Sequence, residues 1–461
     1  VTNNKTHRDM LNGDIAQTLK SMTIPMIVGM LMLMTFSIVD TFFVSMLGTE
    51  QLAAISFTFP VTFTVISLNI GLGIGTSAII GKYIGSGNTK DAKKLATGAL
   101  MLSAVLVGIL AVIGIFSIEF IFSMMGADKT LMPFIQAYMV PWYLAGIFLA
   151  IPMVGNSVLR AFGDTKTPSI IMAVGGAINV VLDPILIFGW GPIPALGIQG
   201  AAIATAIAWA VCLVWIVYLL AIKRQLIEPR ILSLAEFVVA TRGVLKIGLP
   251  AAGANMLTPI AGGVMTAVVA TYGAEAVAAW GVGNRLESIA SIIVLALSMS
   301  LPPFISQNYG ANKLSRIKTA FDMAAKFVIM WQLVMFALLA MFSSYIAQAF
   351  AEEASVERDI TLFLCIVPLG YGLQGIIILV NSSFNAMHKP MSALILSILR
   401  LFAFYVPIAS LGSYLYGLEG LFWGCVIANV LTSVLAYTWF NQNLKNEMAL
   451  ELKTPVLGSE K

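Results

Sequence analysis

Apolar runs long enough to cross a bilayer follow one another along almost the whole chain. Crossing about 30 Å of hydrocarbon takes about 20 helical residues. Twelve stretches qualify: roughly 21–46, 52–80, 95–119, 131–155, 168–189, 199–222, 244–272, 276–303, 320–347, 360–383, 391–414 and 419–440. In lipid each backbone N–H and C=O must be bonded within its own segment, so runs of this length fold as helices. Only 10% of the 461 residues are charged, against about 25% in soluble domains. The expected fold is an all-α integral membrane protein with twelve transmembrane helices.

Basic residues set the orientation. Arg285 and Arg400 fall inside spans; of the remaining Lys and Arg, only Lys129 and Arg358 lie in loops on the second side. Cytoplasmic loops carry the excess of Lys and Arg, so both termini are expected in the cytoplasm of a bacterial cell, with the protein in the plasma (inner) membrane. The formal net charge of +4 therefore reports topology and not nucleic-acid binding. The polar start, Asn3 to Lys20, lacks the pattern of a cleavable signal. Cys212, Cys365 and Cys425 all lie in apolar runs and form no CxxC pair, so they are expected as small core residues. The two histidines, His7 in the tail and His388 in a loop, leave no metal site and no Ser/His/Asp triad. No Walker motif is present, so ATP is not the expected direct energy source.

The chain repeats itself. Pro25 and Pro250 differ by 225, and each opens a span after a basic residue. "LGTEQLAA" (47–54) matches "YGAEAVAA" (272–279), and "KYIGSGNTKDAKK" (82–94) resembles "NYGANKLSRIKT" (308–319). "GNSVLRAFGDTKTP" (155–168) resembles "VNSSFNAMHKP" (380–390), and "GIQG" (197–200) matches "GLEG" (417–420). Five landmarks in one order at nearly one spacing define two six-helix halves. Six is even, so both halves start inside and the repeats are parallel. The expected division is 1–222, a basic linker 223–243, and 244–461. Substrate is expected near the midplane, where the repeats meet.

The first span, residues 21–48, carries no charge except Asp40. A carboxylate in hydrocarbon costs at least about 2.5–3.5 kcal/mol, which marks it as functional by default. Asp40 and Asp183 each lie about six residues before the outer end of a span, and Thr205 about six residues into the next. At ~1.5 Å per residue all three sit about 9 Å below the outer surface. Asn179 precedes Asp183 by four and shares its helix face. Two carboxylates, an amide and a hydroxyl can bind Na⁺ through hard oxygens, or hold a proton, because two adjacent carboxylates cannot both ionise cheaply. The blander reading is that each polar group only glues helices together. Pro25 breaks the hydrogen-bond ladder of the same span as Asp40 and is a candidate hinge.

The second half differs in chemistry. Met265, Arg400 and Cys425 stand at the repeat positions of Asp40, Asn179 and Thr205. Its own charges are Arg285 and Glu287 in span 8 and Arg400 in span 11. Glu287 and Arg400 lie at similar depth and can pair across helices, as a structural ion pair or as part of a substrate cavity. "GLGIGTSAIIGK" (71–82) contains G-x-x-x-G inside a span, with no strand before it, and reads as close helix packing and not as a phosphate loop.

Twelve spans in two repeats, the Pro25-to-Asp40 spacing, "VDTFFVSMLGTEQLAAIS", "GKYIGSGN", "NSVLRAFGDTKTP" and "NVVLDPILIFG" resemble the multidrug and toxic compound extrusion (MATE) family, most closely its DinF-type branch. The resemblance covers nearly the whole chain. It implies antiport, with H⁺ or Na⁺ entering as a cationic or amphipathic drug leaves, and coupling acids in the first half at Asp40 and Asp183 with Asn179 and Thr205. It also implies that span 1 bends at Pro25 when Asp40 is protonated. The expected partners are small-molecule drugs and membrane lipid, with no nucleic acid and no cofactor, and the expected unit is a monomer. The alternatives are a flippase for lipids or lipid-linked saccharides, which would want cationic residues in its cavity, and a membrane-embedded enzyme, which the histidine count disfavours.

Overall fold

The computed structural model describes residues 10–351 and 353–453; His7 and the first residues of the polar start lie outside them. The described residues are helical, with turns and one isolated bridge between Trp190 and Ile193. The first half comprises α1 (Ile15–Ser45), α2 (Thr49–Gly85), α3 (Thr89–Met124), α4 (Met132–Leu144), α5 (Gly146–Ala161), α6 (Lys166–Phe188) and α7 (Ile198–Tyr218). The second comprises α8 (Leu234–Ala270), α9 (Ala274–Ala290), α10 (Ile292–Gly310), α11 (Leu314–Met341), α12 (Ser343–Phe350), α13 (Ala354–Ile366), α14 (Tyr371–Ala386), α15 (Pro390–Ile398) and α16 (Val406–Lys453). A wide π-helical turn, Leu399–Tyr405, joins α15 to α16.

Among the described residues ten helical runs are long and apolar enough to cross a membrane. The pair α4 and α5 forms a further crossing bent by 48°. The 61-residue run Pro390–Leu450 is far too long for one crossing, and it turns at Tyr416 and Gly417, whose backbone leaves the helical region. Twelve crossings result, as expected from the apolar runs.

The repeat is written into the backbone as well as the sequence. Gly48 (φ 115°) pairs with Gly273 (106°), Gly87 (83°) with Asn312 (54°), Gly163 (89°) with His388 (59°), and Gly197 (57°) with Gly417 (65°). Left-handed conformations are costly for residues with a Cβ and cheap for Gly. Four of the five sequence landmarks, all but the Pro25–Pro250 pair, therefore encode a turn that ends one helix and starts the next.

The chain forms two compact units, and the division departs from the simple halves in two places. Residues 24–252 belong to the first unit, whereas residues 10–23 group with the described residues from 253 to 453 in the second. Met10, Leu19 and Met22 are buried in the second unit's core. There Asn308 Nδ2 donates to the Met10 carbonyl at 3.1 Å, Lys313 Nζ to the Leu11 carbonyl at 3.0 Å, and Arg316 Nη2 to the Gly13 carbonyl at 2.8 Å. Conversely Ala240 and Val244 of α8 are core residues of the first unit. The expected linker is therefore shorter than 223–243, because α8 begins at Leu234. Its remaining residues fold onto the first unit, where Arg224 pairs with Asp164 at 2.8 Å and Leu226 and Leu232 are buried.

The G-x-x-x-G pattern packs helices as expected. A Cβ on Gly71 would strike the Gly248 carbonyl, and one on Gly75 would meet the Val244 carbonyl at 2.5 Å. Small residues let the two backbones of α2 and α8 approach closely. Cys212 and Cys425 are buried as expected; Cys365 instead sits on an exposed face of α13.

Candidate functional site

Asp40 lies five residues before the end of α1, Asp183 five before the end of α6, and Thr205 seven into α7. The first unit brings all three together with Asn179. Asn179 Nδ2 reaches Asp183 Oδ1 at 3.4 Å and Thr205 Oγ1 at 3.1 Å. The Thr205 hydroxyl donates to the Ala201 carbonyl at 3.0 Å. Its proton is thus spent on the backbone, so its oxygen accepts, and the amide must present nitrogen to it. Asp183 is fully buried, and its Oδ2 takes no amide or hydroxyl donor among the described residues. The Asp40 carboxyl, which is half-buried, is a close electrostatic neighbour of Asp183. Two neighbouring carboxyl groups in a low dielectric cannot both ionise cheaply, so the pair is suited to holding a proton.

Tyr138 of α4 stands within electrostatic reach of both acids. Sequence reasoning missed it, because a tyrosine inside an apolar run looks like any amphipathic core residue; Tyr143, five residues on, carries the same signal and lies in the packed core. The acids are sealed on their outer side by apolar groups about one turn further out. Val44, Ile187 and Ala201 form a buried cluster, and the rings of Phe43 and Phe188 meet edge-on at 6.3 Å.

Helix α1 is held tightly at its inner end and loosely along its middle. Met22, Thr23 and Met26 are buried, and no residue from Met30 to Phe43 is. Within the first unit the contacts that locate α1 on α6 are small-residue approaches. Gly29 lies against Ser169, Ser169 Oγ reaches Met26 Sδ at 3.6 Å, and Phe36 fills the space over Gly176. Pro25 is inside α1, one residue beyond the division between the two units.

In the second unit Glu287, Gln374 and Arg400 gather at mid-span, but the ion pair between Glu287 and Arg400 does not form. Gln374 Nε2 donates to Glu287 Oε1 at 2.8 Å, so the carboxylate is already engaged. Arg400 is only an electrostatic neighbour of Glu287. Its Nε is buried without a hydrogen-bond partner among the described residues. Arg285 is exposed on α9 and joins no ion pair among them.

Comparison with known proteins follows the same outline. The MatE family model matches residues 25–185 and 250–411, the two repeats in turn. A protein of Shewanella oneidensis described as an FAD transporter is 41% identical over 433 residues, covering 94% of this chain and 96% of that protein. The probable multidrug resistance protein YoeA of Bacillus subtilis is 29% identical, covering 86% of each. Among solved structures, the Vibrio cholerae MATE transporter VcmN in its bent form superposes with a TM-score of 0.89 at 35% identity, covering 94% of this chain and 98% of that one.

Proposed function

Since the chain belongs to the MATE family of multi-pass membrane transporters, we propose that it exports cationic or amphipathic small molecules in exchange for a cation, with H⁺ as the coupling ion. The membrane is the bacterial plasma membrane, with both termini inside. The carrying observation is the carboxyl pair Asp40–Asp183 with Asn179 turned toward it through its nitrogen. A proton between two carboxyls suits that donor set. Sodium would need the Asn179 oxygen and the Thr205 lone pairs, which the present hydrogen bonds direct elsewhere. The acids Asp40 and Asp183 in the first half, with Met265 at the repeat position of Asp40 in the second, also favour the DinF-type arrangement.

Protonation of Asp40 removes a charge from an apolar span and changes which packing of α1 is cheapest. The loosely packed middle of α1 and the missing hydrogen bond at Pro25 give the helix room to bend. Drug affinity then differs between the two states, which is the only way one ligand can drive the other. In everted vesicles, Asp40→Asn should abolish drug-evoked proton release measured at fixed Na⁺. Full extrusion by this variant with an intact ion dependence would overturn the assignment.

A second reading concerns the cargo. The Shewanella oneidensis relative is described as an FAD transporter, so a flavin dinucleotide is a candidate substrate alongside drugs.

A further inference from the structure

Charges inside the spans are distributed unequally between the two units. The first holds Asp40 and Asp183; the second holds Arg285, Arg400 and Glu287. An arginine left unpaired inside a span is costly, and such residues face a bundle interior, a water-filled cavity or a ligand. Glu287 does not discharge that cost, because Gln374 holds it at 2.8 Å and no ion pair to either arginine forms among the described residues. Arg400 sits in the π-helical turn Leu399–Tyr405. Such turns are rare, weaken the regular ladder and recur at functional sites. Its Nε is buried and unpartnered, and the Tyr371 hydroxyl, on a side chain only 2% exposed, is likewise buried without a partner. Both residues lie within electrostatic reach of Glu287. The second unit thus presents unused donors and an excess of positive charge where the first presents acids.

We propose that Arg400 binds the diphosphate of an anionic dinucleotide substrate. A planar guanidinium recognises phosphate oxygens bidentately. This goes beyond cation-coupled export and rests on it only in taking the chain to be an exporter. Neither a purely cationic cargo nor an uncharged one requires these donors.

The test compares two flavins that share an isoalloxazine ring. Purified full-length protein is titrated with FAD and with riboflavin, which has no phosphate. The native protein should bind FAD more tightly. Losing one partner of a buried charge pair weakens binding about 30-fold or more, so Arg400→Gln should narrow the FAD-to-riboflavin affinity ratio by about that factor. Arg400→Lys should fall between, and Arg285→Gln, on an exposed face of α9, should leave the ratio unchanged. The double variant Glu287→Gln/Arg400→Gln separates a structural role. If it restores the ratio, Arg400 merely neutralises Glu287 and the proposal fails. An unchanged ratio in Arg400→Gln also overturns it while leaving flavin export standing. Native protein that binds ethidium but neither flavin removes the dinucleotide as substrate and leaves the drug-export reading intact. Arg400-dependent binding of a polyprenyl diphosphate without binding of FAD would overturn the dinucleotide in favour of a lipid source.

Discussion

Thr205 does more in the first unit than its hydroxyl alone suggests. Because it donates to the Ala201 carbonyl, its oxygen is free only to accept, and this orients Asn179 with its nitrogen toward Asp183. Thr205→Val removes that acceptor and leaves an amide donor short of a partner, a loss of about 1–3 kcal/mol for a buried group. Drug efflux should fall and the melting temperature should drop, whereas Thr205→Ser should retain both; equal behaviour of Val and Ser would show that the hydroxyl does not orient the amide. These polar residues were legible in the sequence because a carboxylate in an apolar run is costly and therefore conspicuous, and because helix spacing puts Asn179 over Asp183. Tyr138 was not legible, since nothing in an apolar run separates a tyrosine beside an acid from one in the packed core. Gln374 was also out of reach. The sequence offered Arg400 as the natural partner of Glu287, and only the packing of α9 against α14 shows that a neutral amide arrives first.

Between whole helices, the glycine contacts decide how close two backbones come. Gly71 and Gly75 lie one turn apart on α2 and face Val244, Gly248 and Ala252, which repeat at the same interval on α8. A side chain at either glycine meets a backbone carbonyl that cannot rotate away. Gly75→Leu should therefore separate the helices, with an overpacking cost of about 1–3 kcal/mol or more. A lower melting temperature in detergent and reduced yield of monodisperse protein are the expected readouts, with Gly108→Leu as a comparison. There the nearest atom to an added Cβ is the end of a flexible side chain, Ile147, at 3.5 Å. A milder effect at Gly75 than at Gly108 would contradict this packing account. Such contacts were visible as G-x-x-x-G, but their partner was not, because the motif states that something comes close without stating what. Helix existence followed directly from the apolar runs. The breaks at Ala145 and at Val367–Gly370 did not, since a bent span and a straight one have the same composition.

For the molecule as a whole, chain order and compact unit are not the same thing. The second unit takes Met10, Leu19 and Met22 into its core, and Asn308, Lys313 and Arg316 bond to carbonyls of the same amino-terminal segment. The first unit takes Ala240, Val244 and Gly248 from beyond the linker. The repeat made the two halves legible as sequence, but not this exchange of ends, because apolar and basic residues near a helix start serve either neighbour equally well. Cutting the chain between Leu232 and Ser233 tests the exchange. The amino-terminal fragment then lacks the helix that covers Gly71 and Gly75. The carboxy-terminal fragment lacks three buried side chains, each worth about 1.5–3 kcal/mol of burial. Either fragment expressed alone should aggregate on extraction, while the two expressed together should copurify as a monodisperse species that still exports drugs. A carboxy-terminal fragment that is monodisperse by itself would show that residues 10–23 are dispensable to the unit they complete, and deleting them from the intact chain should then leave its melting temperature unchanged.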